Sequence, residues 1–160
     1  MLFTGKAELS IDAKQRLAIP AKTRSMIEQA KAGNALYIIW GANGVLWLWP
    51  ESTFEILAGE LDPTLTPSLE EMDFDGMTFP ETQRLDIDSA GRIRVPQELL
   101  DEAGLGNRVL LLGVRHHLEI WDPALRAAQH REKASRRPEI AQRLRGVHDR
   151  RTNDQGTGEQ

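Results

Sequence analysis

The chain has 160 residues, 40% of them apolar and 28% charged, so it can bury one compact core or two small cores packed together. It contains no cysteine, which excludes disulfides, thiolate zinc sites and thiol nucleophiles. No apolar run reaches membrane-spanning length and the start of the chain lacks a secretory-signal pattern, so we expect a cytosolic protein.

The net charge of −4 is unevenly distributed along the chain. Residues 1–50 carry six basic and three acidic side chains, whereas residues 51–82 carry nine acidic side chains and no basic ones. Residues 126–160 are basic again, with nine basic and five acidic side chains. Because the acidity is concentrated in the middle of the chain, the overall charge does not exclude a basic surface for nucleic acid.

The first predicted element recurs 76 residues later. Residues 9–20, with the sequence LSIDAKQRLAIP, align without a gap with residues 85–96, LDIDSAGRIRVP. Further along, Gly33-Asn34 recurs as Gly106-Asn107, and residues 46–49 recur as residues 118–121. The chain therefore contains two copies of one structural unit.

Each copy begins with a predicted β-hairpin, since its apolar residues alternate on both sides of a turn. These residues are Leu9, Ile11, Leu17 and Ile19 in the first copy, and Leu85, Ile87, Ile93 and Val95 in the second. Pro20 and Pro96 end the second strand of each hairpin and open short helices at about residues 21–31 and 97–103.

A second hairpin and a closing helix are predicted in each copy. Residues 35–40 and 45–49 flank an Asn-Gly turn signal, and their counterparts are residues 109–114 and 118–121. We interpret Trp47 and Trp49 as core or subunit-interface residues, and His116-His117 as part of a turn. Closing helices begin at Pro50 and at Asp122-Pro123, so each copy is predicted to be β-β-α-β-β-α.

The domain organisation follows from the repeat. We predict a first repeat at residues 1–61, an acidic bridging segment at 62–80, a second repeat at 81–137, and a basic C-terminal segment with a disordered tail at 138–160. Within the bridge, Ser68 to Glu71 is a capping-box pattern that predicts a short helix. The acidic residues 70–75 lack the glycine and terminal glutamate of an EF-hand loop, so we interpret them as a solvated face.

The two D-x-x-x-R turns, Asp12 to Arg16 and Asp88 to Arg92, give the chain a resemblance to the MraZ family over about residues 1–145. The resemblance implies an α+β, mainly β fold: a two-repeat, swapped-hairpin, pseudo-two-fold β-barrel with peripheral helices, related to AbrB. It also implies a homo-oligomeric ring that binds direct repeats in promoter DNA at the nucleoid. There it would regulate a cluster of cell-division and cell-wall genes.

The two turns differ at one position. The family prefers glycine before the turn arginine, and this chain has Gly91 in the second turn but Gln15 in the first. A left-handed backbone at Gln15 would cost roughly 1–2 kcal/mol. Either the first turn has a different shape, or the fold tolerates that strain.

The first turn is also the more basic, with Lys14 beside Arg16. A two-stranded ribbon fits the DNA major groove, where an arginine can bond guanine O6 and N7, so we predict Arg16 as the main base contact. The other predicted DNA contacts are Lys6, Lys14, Lys22, Arg24, Arg92 and Arg94, and the predicted turn-shaping residues are Asp12, Asp88 and Gly91. A purely structural interpretation stands beside this one, in which each aspartate binds turn amides and its arginine only fixes the hairpin.

Three other functions are alternatives to DNA binding. An enzyme is disfavoured, because the sequence has no glycine-rich phosphate loop and no recognisable Ser/His/Asp arrangement. We accordingly predict no catalytic residue, cofactor, metal, small-molecule substrate or membrane partner. An AbrB-like antitoxin or protein-interaction module is the main alternative, although the duplicated unit argues against it. A ring that has lost DNA binding is the third, suggested by Gln15 and the net acidity.

Overall fold

The computed structural model describes residues 1–61 and 65–143. In chain order the elements are β1 (Lys6–Ser10), β2 (Arg16–Ala18), α1 (Ala21–Gln29), β3 (Ala35–Trp40), β4 (Leu46–Pro50), α2 (Glu51–Gly59), α3 (Leu69–Thr78), β5 (Gln83–Asp86), β6 (Arg92–Arg94), α4 (Gln97–Glu102), β7 (Arg108–Val114), β8 (His117–Trp121) and α5 (Pro123–Ala134). Residues 137–143 are also helical, and residues 144–160 of the predicted tail lie outside the described residues. The chain divides into two compact units, Met1–Pro123 and Ala124–Gln160, and all the strands belong to the first.

The strands form a six-stranded antiparallel sheet in the order β1-β7-β8-β4-β3-β5, and a two-stranded sheet of β2 and β6. If each strand is replaced by its counterpart in the other repeat, the same strand order is obtained in the opposite direction. The two copies are therefore related by pseudo-two-fold symmetry. The register agrees: Leu17 pairs with its repeat counterpart Ile93, and Trp47 with its counterpart Glu119. The prediction of a fold that combines helices with β-strands is confirmed, and the structure shows that the strands pair antiparallel.

The predicted closed barrel is wrong. The outer strands β1 and β5 each have one neighbour in the large sheet, and β2 and β6 form a separate ladder. That ladder has only three residues in each strand and stops before Pro20 and Pro96, which lack the N–H needed to continue pairing. Strands β1 and β2 do not form a ladder with each other, because β1 pairs with β7 of the other repeat; the arms of the first hairpin meet beside the turn, at a bridge between Ile11 and Leu17.

The core is shared by the two repeats. Its main cluster contains the fully buried side chains of Leu17 and Ile93 from the small sheet together with the inward faces of the large sheet. A smaller cluster contains Val45, Leu110, Leu112 and Trp121. Since every strand of one repeat pairs with or packs on the other, we expect neither repeat to fold alone.

Most predicted helix boundaries are close to the observed ones. Helices α1 and α4 begin directly after Pro20 and Pro96 and end within two residues of the prediction. The capping box at α3 is confirmed, because the Ser68 hydroxyl accepts from the Glu71 N–H at 3.2 Å and the Glu71 carboxylate accepts from the Ser68 N–H at 2.6 Å.

The interpretation of His117 as a turn residue is wrong. It begins β8, is buried, and stacks against Trp47 and Trp49 with ring centroids 4.2 and 4.6 Å away. Glu119 has Oε1 3.5 Å from His117 Nε2, and its Oε2 accepts a hydrogen bond from Trp121 Nε1 at 2.6 Å. Burial alone would raise the pKa of Glu119, but its hydrogen bonds hold the pKa below its ordinary value. The predicted strand at residues 118–121 is confirmed, and it begins one residue earlier than predicted, at His117.

Candidate nucleic-acid interface

The Asp12 carboxylate holds the first turn together. Its Oδ1 accepts from the backbone N–H groups of Lys14 and Arg16, both at 2.9 Å, and its Oδ2 accepts from Arg16 Nε at 2.7 Å. The turn is closed by hydrogen bonds from Gln15 N to Asp12 O at 2.9 Å and from Asp12 N to Arg16 O at 3.1 Å. One acidic side chain therefore fixes both the backbone of the turn and the base of the Arg16 guanidinium.

The second turn repeats this arrangement around Asp88. Its Oδ1 accepts from the N–H groups of Ala90 and Arg92, both at 2.9 Å, and its Oδ2 accepts from Arg92 Nε at 3.0 Å. Arg92 also places Nη2 3.0 Å from the same Oδ2. The two D-x-x-x-R segments thus have the same local structure, as their alignment in sequence suggests.

These contacts lower the pKa of both aspartates. In each, the hydrogen bond from the backbone N–H of the turn arginine is the largest cause, and the guanidinium adds to it. Both carboxylates are therefore ionised at neutral pH, which is the form that accepts all three hydrogen bonds.

Gln15 adopts the left-handed backbone that its glycine counterpart adopts. Its φ is +58°, and that of Gly91 is +75°. The first turn therefore does not differ in shape from the second, and the fold tolerates the strain at Gln15. The surrounding structure fixes this conformation, since the Gln15 carbonyl accepts from Val95 N–H at 2.9 Å, as the Gly91 carbonyl accepts from Ile19 N–H at 2.9 Å.

The small sheet presents three arginines on its outer face. Its inner face is formed by Leu17 and Ile93, which are buried. Because side chains alternate along a strand, the neighbouring residues point outward, where Arg16 lies opposite Arg94 and Arg92 lies opposite Ala18. Arg94 Nη2 donates to Gln15 Oε1 at 3.2 Å. Ala13, Lys14, Gln15, Arg16 and Arg94 line a shallow hollow on this face.

The guanidinium groups of the two turn arginines are held in the same way. Each side chain is 34% exposed. Within residues 1–61 and 65–143, each guanidinium donates a hydrogen bond through Nε, to the aspartate of its own turn. In that part of the chain the end-on fork of Arg16, formed by Nη1 and Nη2, makes no hydrogen bond and is available to a ligand.

The remaining predicted contacts lie in two different places. Arg24 of α1 lies against the second turn, and its Nε donates to the carbonyl of Ile19, which follows β2 in its own repeat, at 3.1 Å. Its guanidinium covers Gly91 so closely that a Cβ there would overlap it. Lys6 and Lys22 line a separate cavity beside β1, apart from both turns.

Sequence reasoning missed the link between the helix of one repeat and the turn of the other. It placed Arg24 as a phosphate contact and did not foresee its packing on Gly91. The signal was present at position 91, because glycine permits a close approach by another group as well as a left-handed backbone.

No group of three or more histidine, aspartate or glutamate side chains in the described part of the chain is arranged to hold a metal ion. None of its helices combines the length and the apolar character needed to cross a bilayer.

Comparison with known proteins gave a consistent result. The model of the family described as MraZ protein, which is also termed antitoxin-like, matches residues 2–73 and 78–146. A transcriptional regulator MraZ from Thermomicrobium roseum is 35% identical over 89% of this chain and 97% of its own length. Proteins with the same name from Mycoplasma mycoides and a Roseiflexus species are 33% and 34% identical, each over 76% of this chain and over 86% and 82% of their own lengths.

Proposed function

Because the chain belongs to the MraZ family, we propose that it is a transcription regulator that binds promoter DNA through the outer face of the β2–β6 sheet. The observation that carries this proposal is the free end-on fork of Arg16. Arg16 lies on an outward-facing turn, and Asp12 fixes both the backbone of that turn and the Nε end of the Arg16 guanidinium.

The chemistry of this fork suits guanine. Two parallel N–H donors match the O6 and N7 acceptors that guanine presents in the major groove, and such a bidentate contact contributes about 1–3 kcal/mol of discrimination. Because the aspartate already orients the side chain, less conformational entropy is lost on binding. Arg16 is the residue that we propose reads the sequence.

The surrounding cations contribute affinity without reading bases. Lys14, Arg92 and Arg94 share the outer face, and Arg24 adds charge at the second turn. Phosphate contacts of this kind fix the register of the protein on DNA and make binding fall with rising salt. Lys6 and Lys22 lie elsewhere, so their role as phosphate contacts stays a prediction.

One copy of the chain offers few such cations, so we propose that several copies act together as a ring. Linked binding of several subunits to successive sites raises avidity by about 10²–10⁴. Direct repeats in DNA suit head-to-tail contacts, which place every subunit in the same orientation. By its family resemblance, the target is the promoter of a cell-division and cell-wall gene cluster at the nucleoid.

We also propose that the two repeats, residues 1–61 and 81–137 with the bridge at 62–80, form a swapped-hairpin pair. The pairing of β1 with β7 and of β5 with β3 supports this, because each joins one repeat to the other. The exchange brings both turns to one small sheet, which explains why a single chain presents a two-turn surface.

Selection of genomic fragments on the purified protein, at about 50 mM and about 200 mM salt, tests the function. We expect enrichment of promoter fragments that share a short repeated motif, with weaker binding at the higher salt. Recovery of random fragments alone at both concentrations would contradict sequence-specific regulation. The solution mass is the companion measurement: a ring gives several subunits, whereas a small partner-binding module would remain a dimer.

A further inference from the structure

The segment from α2 through α3 leaves an unusual amount of apolar surface in solvent. Nine of the thirteen large apolar side chains that are exposed in the described part of the chain lie there. They are Ile56, Leu57, Leu61, Leu65, Leu69, Met72, Phe74, Met77 and Phe79. Leu69 and Met77 are 77% and 75% exposed although they belong to a helix. A concentration of this kind marks an interaction site.

The same segment is acidic. Residues 51–82 contain nine acidic side chains and no basic ones. Glu70, Asp73 and Asp75 are exposed on α3 beside its apolar residues, and the structure gives them no ion pair with another described residue. We call the exposed residues of α2 and α3, with the residues between them that the structure describes, the acidic apolar surface. A partner that covers it must be apolar and basic.

A hollow of that character lies elsewhere on the same chain. A cavity of about 320 Å³ beside β1 and β7 is lined by apolar side chains that include Leu2, Phe3 and Met26. Lys6 and Lys22 are also part of the lining, and both are exposed. We call this cavity the basic hollow. Neither lysine has an ion-pair partner among residues 1–61 and 65–143, so both are available to carboxylates of another molecule.

The basic hollow lies at the β1–β7 end of the sheet, and the pseudo-symmetric position beside β5 and β3 does not reproduce it. The counterparts of Lys6 and Lys22 in the second repeat are Thr82 and Glu98, which remove both positive charges. The counterpart of Gly113 is Trp40, whose side chain packs against the main core. Among the described residues, the β1–β7 end of the sheet therefore combines an apolar lining with two lysines and the β5–β3 end does not.

The two surfaces lie at opposite ends of the six-stranded sheet. The basic hollow is beside β1 and β7, whereas the groove between α2 and α3 is lined by Ile39 of β3 and Trp49 of β4. One copy cannot bring its own two ends together. A contact between the acidic apolar surface of one copy and the basic hollow of another leaves one surface of each kind free, so such contacts continue from copy to copy.

We propose that the acidic apolar surface of one copy docks into the basic hollow of the next, and that this is the contact that builds the oligomer. The inference rests on the multi-subunit state in the proposed function and assigns the surfaces that make it. It also gives Lys6 and Lys22 a role in assembly, in which they face Glu70 and Asp73 of the neighbouring copy. Burial of the apolar residues supplies the affinity, and the charges select the pairing.

Charge exchange between the two surfaces tests the proposal. One variant carries Glu70→Lys with Asp73→Lys, so that both of its surfaces are basic, and the other carries Lys6→Glu with Lys22→Glu, so that both are acidic. Each alone is expected to assemble at least tenfold more weakly than the unchanged chain in sedimentation velocity. An equimolar mixture is expected to regain the parent mass, because each basic surface then meets an acidic one.

The control is Asp101→Lys with Glu102→Lys on α4, which makes the same charge change away from both surfaces and should keep the parent mass. Leu69→Ser with Met77→Ser removes exposed apolar area without altering charge and should also weaken assembly. Circular dichroism confirms that each variant is folded.

Two results would overturn the assignment: either charge variant alone keeping the parent mass, or the two folded variants failing to assemble when mixed. In both cases the unchanged chain would still be oligomeric and would still bind DNA, so the proposed function would stand. A monomeric unchanged chain would remove both the ring and this contact.

Discussion

The turn from Asp12 to Arg16 and the turn from Asp88 to Arg92 share one scaffold and differ in what surrounds it. In both, an aspartate accepts two backbone hydrogen bonds and one from its arginine. The first turn has a left-handed glutamine and Lys14 beside its arginine, whereas the second has a glycine that the guanidinium of Arg24 covers. The scaffold therefore fixes the shape of a turn, and its neighbours determine what the turn can bind.

The largest expected effect is on the free energy of unfolding, through the buried residues that lie behind both turns. Leu17 and Ile93 pair across the small sheet and are 0% and 1% exposed. Leu17→Ala and Ile93→Ala should each lower the free energy of unfolding by about 2–5 kcal/mol, because each leaves a cavity in the shared core. Urea denaturation measures this, with Leu65→Ala, at a fully exposed position, as the control. A large difference between the two variants would show that the turns are not equivalently anchored.

An exchange of the residues before the two arginines should have an intermediate effect. Gly91→Gln is expected to lower the free energy of unfolding by about 1–2 kcal/mol, because the new side chain must adopt a left-handed backbone. It must also displace the Arg24 guanidinium. Gln15→Gly should change stability by less, since the strain it relieves is offset by the greater freedom of glycine in the unfolded chain. Stabilisation by Gly91→Gln would mean that the left-handed geometry is misassigned.

The smallest expected effect is on the dependence of stability on pH. The pKa of Asp12 and that of Asp88 are both lowered by folding, so their stabilising contribution is present above about pH 4 and lost as the pH falls through the lower folded-state pKa. Asp12→Asn and Asp88→Asn should each flatten the acid side of the stability profile by a similar amount. Asp73→Asn on α3, which has no such contacts, serves as the control. If stability depends on pH in the two variants as it does in the parent chain, the carboxylates of Asp12 and Asp88 do not stabilise the turns.

The turns were predictable because the information that defines them is local. Asp12 and Asp88 act on backbone groups two and four residues away, and the aligned segments therefore predict one another. The apolar alternation likewise placed Leu17 and Ile93 on one face. The prediction of two similar hairpins followed from these patterns and from no long-range contact.

The features that the sequence did not predict depend on contacts between segments that are far apart in the chain. Strand β1 pairs with β7, and β2 pairs with β6. The alternation of apolar residues predicts a strand but does not specify its partner. The expectation of a closed barrel was wrong for this reason. The burial of His117 was not predicted for a related reason, because this polar side chain packs against Trp47 and Trp49 of another strand. The covering of Gly91 by Arg24 is a third case of the same kind.

The affinity of Arg16→Ala and Arg92→Ala for one selected promoter fragment tests the central claim most directly. Fluorescence anisotropy at fixed salt is expected to give a Kd about 5 to 150 times higher for Arg16→Ala, the equivalent of about 1–3 kcal/mol, and a smaller change for Arg92→Ala. Arg16→Lys should not restore the parent value, since a single ammonium group cannot form the fork. If Arg16→Ala binds as tightly as the parent chain, the outward turn does not read DNA.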